Sequence, residues 1–163
     1  MGAFVFFATL LFSVSAVNSK KVRFQHCASQ EEHGEVTSVD VTPCDDDPCV
    51  FKPDTNETVA VSFIPHEVVT KAKILAYAIK WGMRFPLPLP NPNACQGYGM
   101  TCPLKSGVPV KLAFTQEVSG YYPSGSYQLE TVLTDQNGNT IICGIFQLKI
   151  AWMNIHWNLV SHV

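Results

Sequence analysis

The residue types able to do chemistry in this chain are its cysteines, histidines and clustered acids, and their spacing limits what they can do. His26, His33, His66, His156 and His162 are scattered. No two of them sit at metal-ligand spacing and there is no CxxC, so a zinc site is not expected. No serine stands in a GxSxG elbow, and no cysteine remains as a nucleophile if all six pair. Asp135, Asn137 and Asn139 look like the start of a calcium loop, but Thr140 occupies the sixth position, where that loop needs glycine. Asn137-Gly138 reads better as a hairpin turn. Asp45-Asp46-Asp47 reads as a solvated turn inside a small disulfide loop. The expectation is no metal, no cofactor and no enzyme. One chemical mark remains: the sequon Asn56-Glu57-Thr58 makes Asn56 a glycosylation candidate if the chain is exported.

Export is expected from the first residues. MGAFVFFATLLFSVSA is apolar from Ala3 to Leu11 and ends on the small-residue site Val14-Ser15-Ala16. That is the pattern of a signal peptide over 1–16, with cleavage after Ser19 as the variant, although no Lys or Arg precedes the apolar run. No later apolar run approaches the roughly 18 residues that cross a bilayer. The mature chain, about 145 residues, suits one domain with a real core. Its 11 basic and 13 acidic residues nearly balance and form no basic stripe, which argues against nucleic acid and against purely electrostatic membrane binding.

In an exported chain six cysteines imply three disulfides. Cys44 and Cys49 flank the acidic turn, and Cys95 and Cys102 flank QGYGMT, so both spacings suit local clips. That leaves Cys27 with Cys143, joining the two ends of the domain. Closing so long a loop stabilises by roughly 4–5 kcal/mol on the chain-entropy model.

The elements that must position these groups are strands. Val36, Val39 and Val41 mark one, and Val59, Val61 and Phe63 a second. Val110, Leu112, Phe114 and Val118 mark a third, with Gln116 as the exception on that face. Tyr127, Leu129, Thr131 and Leu133 mark a fourth, and the Asn137-Gly138 turn leads into a fifth, TIICGIFQLKI. VVTKAKILAYAIKWGM fits a helix through Ile74, Leu75, Ala78 and Ile79, or a strand through alternating Leu75, Tyr77, Ile79 and Trp81. Its neighbours favour the strand. Six or seven strands separated by turns predict an all-β, immunoglobulin-like sandwich of two sheets.

RFPLPLPNPNAC, from Arg84 to Cys95, does not fit a mid-sheet strand, because each proline lacks a ladder donor. Two readings are open. If the sheets splay at one end, their apolar inner faces enclose a lipid pocket, and Phe85, Leu87 and Leu89 line its mouth from a stiff extended segment. Otherwise the run is an ordinary edge strand on a filled core.

The motifs VTPCDDDPC, PLPLPNPNAC, CPL, Tyr122-Pro123-Ser124 and the late cysteine before a final strand occur in this order in lipid-binding proteins with the ML domain. Over roughly Val22 to Ile150 the chain resembles the Niemann–Pick type C-two sterol carriers of that family. The resemblance implies the three cysteine pairs reached from spacing. It implies a sterol pocket lined by Leu87, Val118 and Tyr122, with Phe85 and Leu89 in the adjoining proline run. It implies transfer of cholesterol or a related sterol to a membrane or a membrane-bound partner, without catalysis. A monomer is expected, secreted to the extracellular space or held in the lysosomal lumen.

Four departures bear on that expectation. The carriers often have Phe where Leu87 stands, and their Trp before the last hairpin falls on Thr131. Their acidic residue after the last cysteine is missing from Gly144-Ile145-Phe146. An apolar extension, residues 151–163, carries Trp152, Ile155, Trp157 and Leu159 past the expected end and suits a cover for an edge or a pocket mouth. The alternative within the same fold is an extracellular carrier or recognition protein for another lipid or hydrophobic signal, of immune or chemosensory kind. A small exported hydrolase is the competing class.

Overall fold

We describe residues 18–28 and 31–151 of the chain from a computed structural model. The expected signal peptide and almost all of the expected extension lie outside them. The strands are β1 (Lys20–Val22), β2 (Phe24–His26), β3 (Gly34–Thr42), β4 (Cys49–Phe51), β5 (Asn56–Pro65), β6 (Lys73–Lys80), β7 (Met83–Pro86), β8 (Val110–Glu117), β9 (Gly125–Thr134) and β10 (Thr140–Ile150). There is no helix among the described residues. One sheet has the order β1-β3-β5-β8 and the other β2-β10-β9-β6-β7, with β4 added alongside β10. Every pairing is antiparallel except β4 with β10.

The all-β sandwich expected from the alternation is therefore present. The strand count is higher than the six or seven expected. The additional strands β1, β2, β4 and β7 are three or four residues long, too short to show a period. In β3 the register shifts between Val36 and Ser38, a bulge that lets Val36, Val39 and Val41 share the core despite their uneven spacing. The segment that fits either a helix or a strand is strand β6, but its alternation runs opposite to the one expected. Ile74, Ala76 and Ala78 are on the inner side, while Leu75, Tyr77 and Ile79 are half-buried on the outer side. Trp81 is not in the strand at all. It is 76% exposed at the tip of a two-residue turn between β6 and β7.

The disulfides are Cys27–Cys143, Cys44–Cys49 and Cys95–Cys102, as spacing and resemblance implied. The β9–β10 hairpin turns through Asp135–Asn139, with Gly138 at φ 86° where a β-carbon would be disfavoured. Asp135 Oδ1 accepts the amides of Asn137 and Asn139, both at 2.8 Å, so this acid organises a turn.

Candidate functional site

The core is uneven along its length. At the end holding the start of β3 and the β9–β10 turn, Phe63, Leu133, Ile141 and Ile142 are fully buried and fill the space between the sheets. At the opposite end the sheets part around a small, open-mouthed cavity. Val59, Gln116 and Val118 wall it from the smaller sheet, and Ala78, Leu129 and Leu148 from the larger one. Leu87 and Tyr122 complete it from the connecting segments. Its accessible wall is almost wholly apolar. The space is narrow: the centre of a water molecule can move through only about 50 Å³ of it.

The proline run combines both open readings. Its first part is edge strand β7, paired with β6 through Tyr77 and Pro86. Beyond Pro86 the chain stays beside β6 with sparse hydrogen bonds. Leu87 N donates to Ala76 O at 2.9 Å, Ile74 N donates to Pro92 O at 3.0 Å, and Ala94 N donates to Ala72 O at 2.9 Å. The prolines supply no donors, so an edge with outward nitrogens is where they can sit. Leu87 is half-buried against the core and lines the cavity. Leu89 is half-buried against the core but lines a separate shallow groove with Ile74 and Pro92. Phe85 pairs with Ala78 and is 45% exposed, outside the cavity lining. Of the five residues expected in the pocket, the structure thus brings Leu87, Val118 and Tyr122 together, and leaves Phe85 and Leu89 beside them.

Deeper between the sheets lies a row of small residues. Ala76, Thr131 and Gly144 are cross-strand partners on β6, β9 and β10. By the two-residue period they share the inner face with Ala78, Leu129 and Phe146 of the neighbouring row. A β-carbon built on Gly144 would meet no atom within 4 Å. The larger sheet therefore presents small side chains along this row, with space for a β-carbon at Gly144.

The sequence reading missed Glu57, noticing it only as the middle of the sequon. The signal was present, since the alternation Val59, Val61, Phe63 extends back to Glu57 and puts it on the inner face. It is 2% exposed and lines the cavity. Oε1 accepts a hydrogen bond from Thr55 Oγ1 at 3.0 Å, and Oε2 has no partner. The other buried acids are satisfied. Glu130, on the outer face, holds Arg84 in two hydrogen bonds, one of 3.0 Å, and Arg84 stacks on Tyr77 at 3.5 Å. Asp135 is kept below the usual carboxylate range: desolvation opposes this, but the turn amides of Asn137 and Asn139 outweigh it.

Burial pushes Glu57 up from the ordinary 4.5, against the lowering effects of the Thr55 hydroxyl and Lys52. A carboxyl raised in the folded state contributes its full stability below the unfolded value and loses it as pH rises through the raised folded value. Glu57→Gln keeps the shape without that loss. Its melting temperature should exceed wild type at pH 7.5, with the gap shrinking at pH 4. A gap independent of pH would show that another property of the variant is responsible.

Asn56 is exposed and alternates with Glu57, so it points away from the cavity, while Thr58 Oγ1 lies 2.8 Å from Thr115 Oγ1 on that outer side. Around the mouth, Lys80 Nζ donates to Ser124 O at 3.1 Å and lies 3.8 Å over the ring of cavity-lining Tyr127 and 4.9 Å over Trp81. Cys27, Cys143 and Glu130 cluster on the outer face, but two of the three are a disulfide, which leaves no thiolate for a metal. The last described residues, Ile150 and Ala151, are at the cavity end, where Ile150 is part of the wall. The tail beyond them is outside the described residues.

A family model described as the ML domain matches residues 21–150. "NPC intracellular cholesterol transporter 2 homolog a" of Drosophila melanogaster is 30% identical over 146 residues, covering 88% of this chain and 97% of that protein. "NPC intracellular cholesterol transporter 2" of Mus musculus is 28% identical, covering 87% and 93%. A mite group 2 allergen of Glycyphagus domesticus is 29% identical, covering 80% and 98%. Among solved structures, a Niemann–Pick type C2 protein from the Japanese carpenter ant superposes with a TM-score of 0.70 at 24% identity, over 79% of this chain and 99% of that one, which supports the fold. With nearly the whole span from Lys21 to Ile150 matched, the chain belongs to the ML-domain family.

Proposed function

We propose that this protein is a carrier, not an enzyme, that holds cholesterol or a related sterol between its sheets and delivers it to a membrane or a membrane-bound partner. The observation that carries this reading is the apolar cavity at one end of the sandwich, walled by Leu87, Val118 and Tyr122. A rigid apolar ligand replaces the core that those residues leave out, and each Å² of apolar surface it removes from water is worth about 25 cal/mol. The narrowness of the empty space means that the walls part as the ligand enters. The similarity to cholesterol transporters supports a sterol as that ligand.

Delivery needs contact at the mouth. Trp81 has φ 53°, a conformation that bulky residues rarely adopt, yet it is held exposed at the β6–β7 tip. Met83, Phe85 and Tyr121 are also exposed near this end, with Tyr121 at 96%. Trp and Tyr with a neighbouring Lys suit the bilayer interface, where amphipathic rings sit at headgroup depth. Export and glycosylation at Asn56 belong to the same reading, because a glycan there would leave the cavity open.

The test is extraction of the purified protein followed by mass spectrometry, with titration of dehydroergosterol and its transfer to phosphatidylcholine vesicles. A co-purifying sterol and saturable binding are expected. Replacing Trp81, Met83 and Tyr121 with Ser should slow transfer while leaving binding intact. Fatty acids or terpenoids in the extract, without sterol binding, would overturn the sterol assignment in favour of another hydrophobic ligand.

A further inference from the structure

Glu57 is hard to explain as core. Among the described residues its Oε2 is the buried side-chain oxygen that has no hydrogen-bond partner, and leaving such an atom unpaired is unfavourable. An apolar residue would wall an ordinary cavity more stably. The carboxyl is covered in the empty protein, and a ligand that parts the walls would uncover it.

We propose that Glu57 is the polar recognition group of the cavity, and that it takes the hydroxyl of an otherwise apolar lipid in preference to a carboxylate head of the same length. The proposal rests on the carrier reading above and names the head group that the cavity selects. A hydroxyl is both donor and acceptor. It donates to Oε2 when Glu57 is ionised and accepts from Oε2–H when Glu57 is neutral, so it satisfies the orphan atom in either state. Oε1 is already engaged by Thr55, which leaves one position to fill.

A carboxylate fits poorly. The cavity lining contains Glu57 and Glu117 but no Lys, Arg or His. Lys52 acts on Glu57 only at a distance and is exposed, while Lys80 is engaged by Ser124 O and the Tyr127 ring. Nothing in the wall would neutralise an anionic head. An ammonium head meets a carboxyl that burial drives toward its neutral form, and loses more hydration than the contact returns.

The experiment displaces N-phenyl-1-naphthylamine from the protein at pH 7.5 with 1-hexadecanol, heptadecane, palmitate and hexadecylamine delivered from cyclodextrin. Cholesterol and cholest-5-ene form a second arm that shows whether the alcohol is a sterol. Wild type should favour hexadecanol over palmitate about tenfold or more. In Glu57→Leu the alcohol-to-alkane preference should fall about tenfold. Glu57→Gln, the variant to rely on if the leucine protein does not fold, should keep the alcohol and bind palmitate more tightly than wild type does. An unchanged alcohol-to-alkane ratio in Glu57→Leu, unchanged palmitate binding in Glu57→Gln, or a wild-type preference for palmitate or the amine would overturn the proposal while leaving the carrier intact. Folded wild type that binds neither the probe nor any lipid would remove the carrier reading, and this proposal with it.

Discussion

Replacing Cys27 and Cys143 with alanine is expected to lower stability by about 4–5 kcal/mol, whereas removing Cys44–Cys49 should cost about 2 kcal/mol. The difference follows from loop length, since the first bridge closes 116 residues and the second only 5. Position adds to it. Among the described residues strand β2 pairs only with β10, and Cys27 directly follows β2, so the bridge holds β2 on the edge of the larger sheet. Cys143 is fully buried, and its loss also leaves a hole beside the Arg84–Glu130 pair. Against a typical total of about 5–15 kcal/mol, the double variant should be partly unfolded at 37 °C. Urea denaturation of both variants measures the two losses. Equal losses would mean that loop closure is not the dominant contribution here.

Val118→Phe is expected to weaken sterol binding at least tenfold, about 1.4 kcal/mol, while the empty protein melts close to wild type. Val118 is 4% exposed, which alone would suggest packed core, where added bulk costs about 1–3 kcal/mol. It differs from Phe63 at the packed end in facing the cavity, so a ring has space to enter, and that space is what the ligand needs. Gly144→Val tests whether a bound sterol reaches deeper between the sheets. Gly144 has no positive φ and its added β-carbon meets nothing, so stability should hold or rise while binding of a full-length sterol falls. Melting of the empty proteins and equilibrium binding of dehydroergosterol decide it. If Val118→Phe melts much lower and its folded fraction binds normally, Val118 is ordinary core, and the carrier loses its structural basis.

Much of this was legible in the chain because it is encoded locally. Alternation of apolar residues is a property of one strand, so β3, β5, β8, β9 and β10 could be read directly, and with them the sandwich. The short flanks of Cys44–Cys49 and Cys95–Cys102 mark clips without reference to the rest of the fold, and pairing by exclusion supplies the long bridge. The prolines from Pro86 to Pro92 bar a central strand whatever surrounds them, although whether the segment lined a pocket or edged a filled core stayed open.

Which side of a strand faces inward was not local, and that is where the sequence reading went astray. In β6 the bulkier series Leu75, Tyr77, Ile79 looks like the core face, but it lies outside, where Arg84 of β7 covers Tyr77. The smaller series Ile74, Ala76, Ala78 lies inside because this sandwich leaves part of its interior unfilled. Hydrophobicity alone assigns the larger face to a core that is assumed to be full. In the same way Ala76, Thr131 and Gly144 are far apart in the chain and become a row only through the register of three strands. Glu57 carried its inward direction in the sequence, but the missing partner for Oε2 was set by the groups that the opposing sheet brings to that end, and none of them reaches it. The chain by itself determined the long alternating strands and the bridges, and barred the proline run from mid-sheet; only the tertiary structure decided where space remained between the sheets and which polar atom was left unpaired beside it, because empty volume and an unmet hydrogen bond are properties of assembled surfaces.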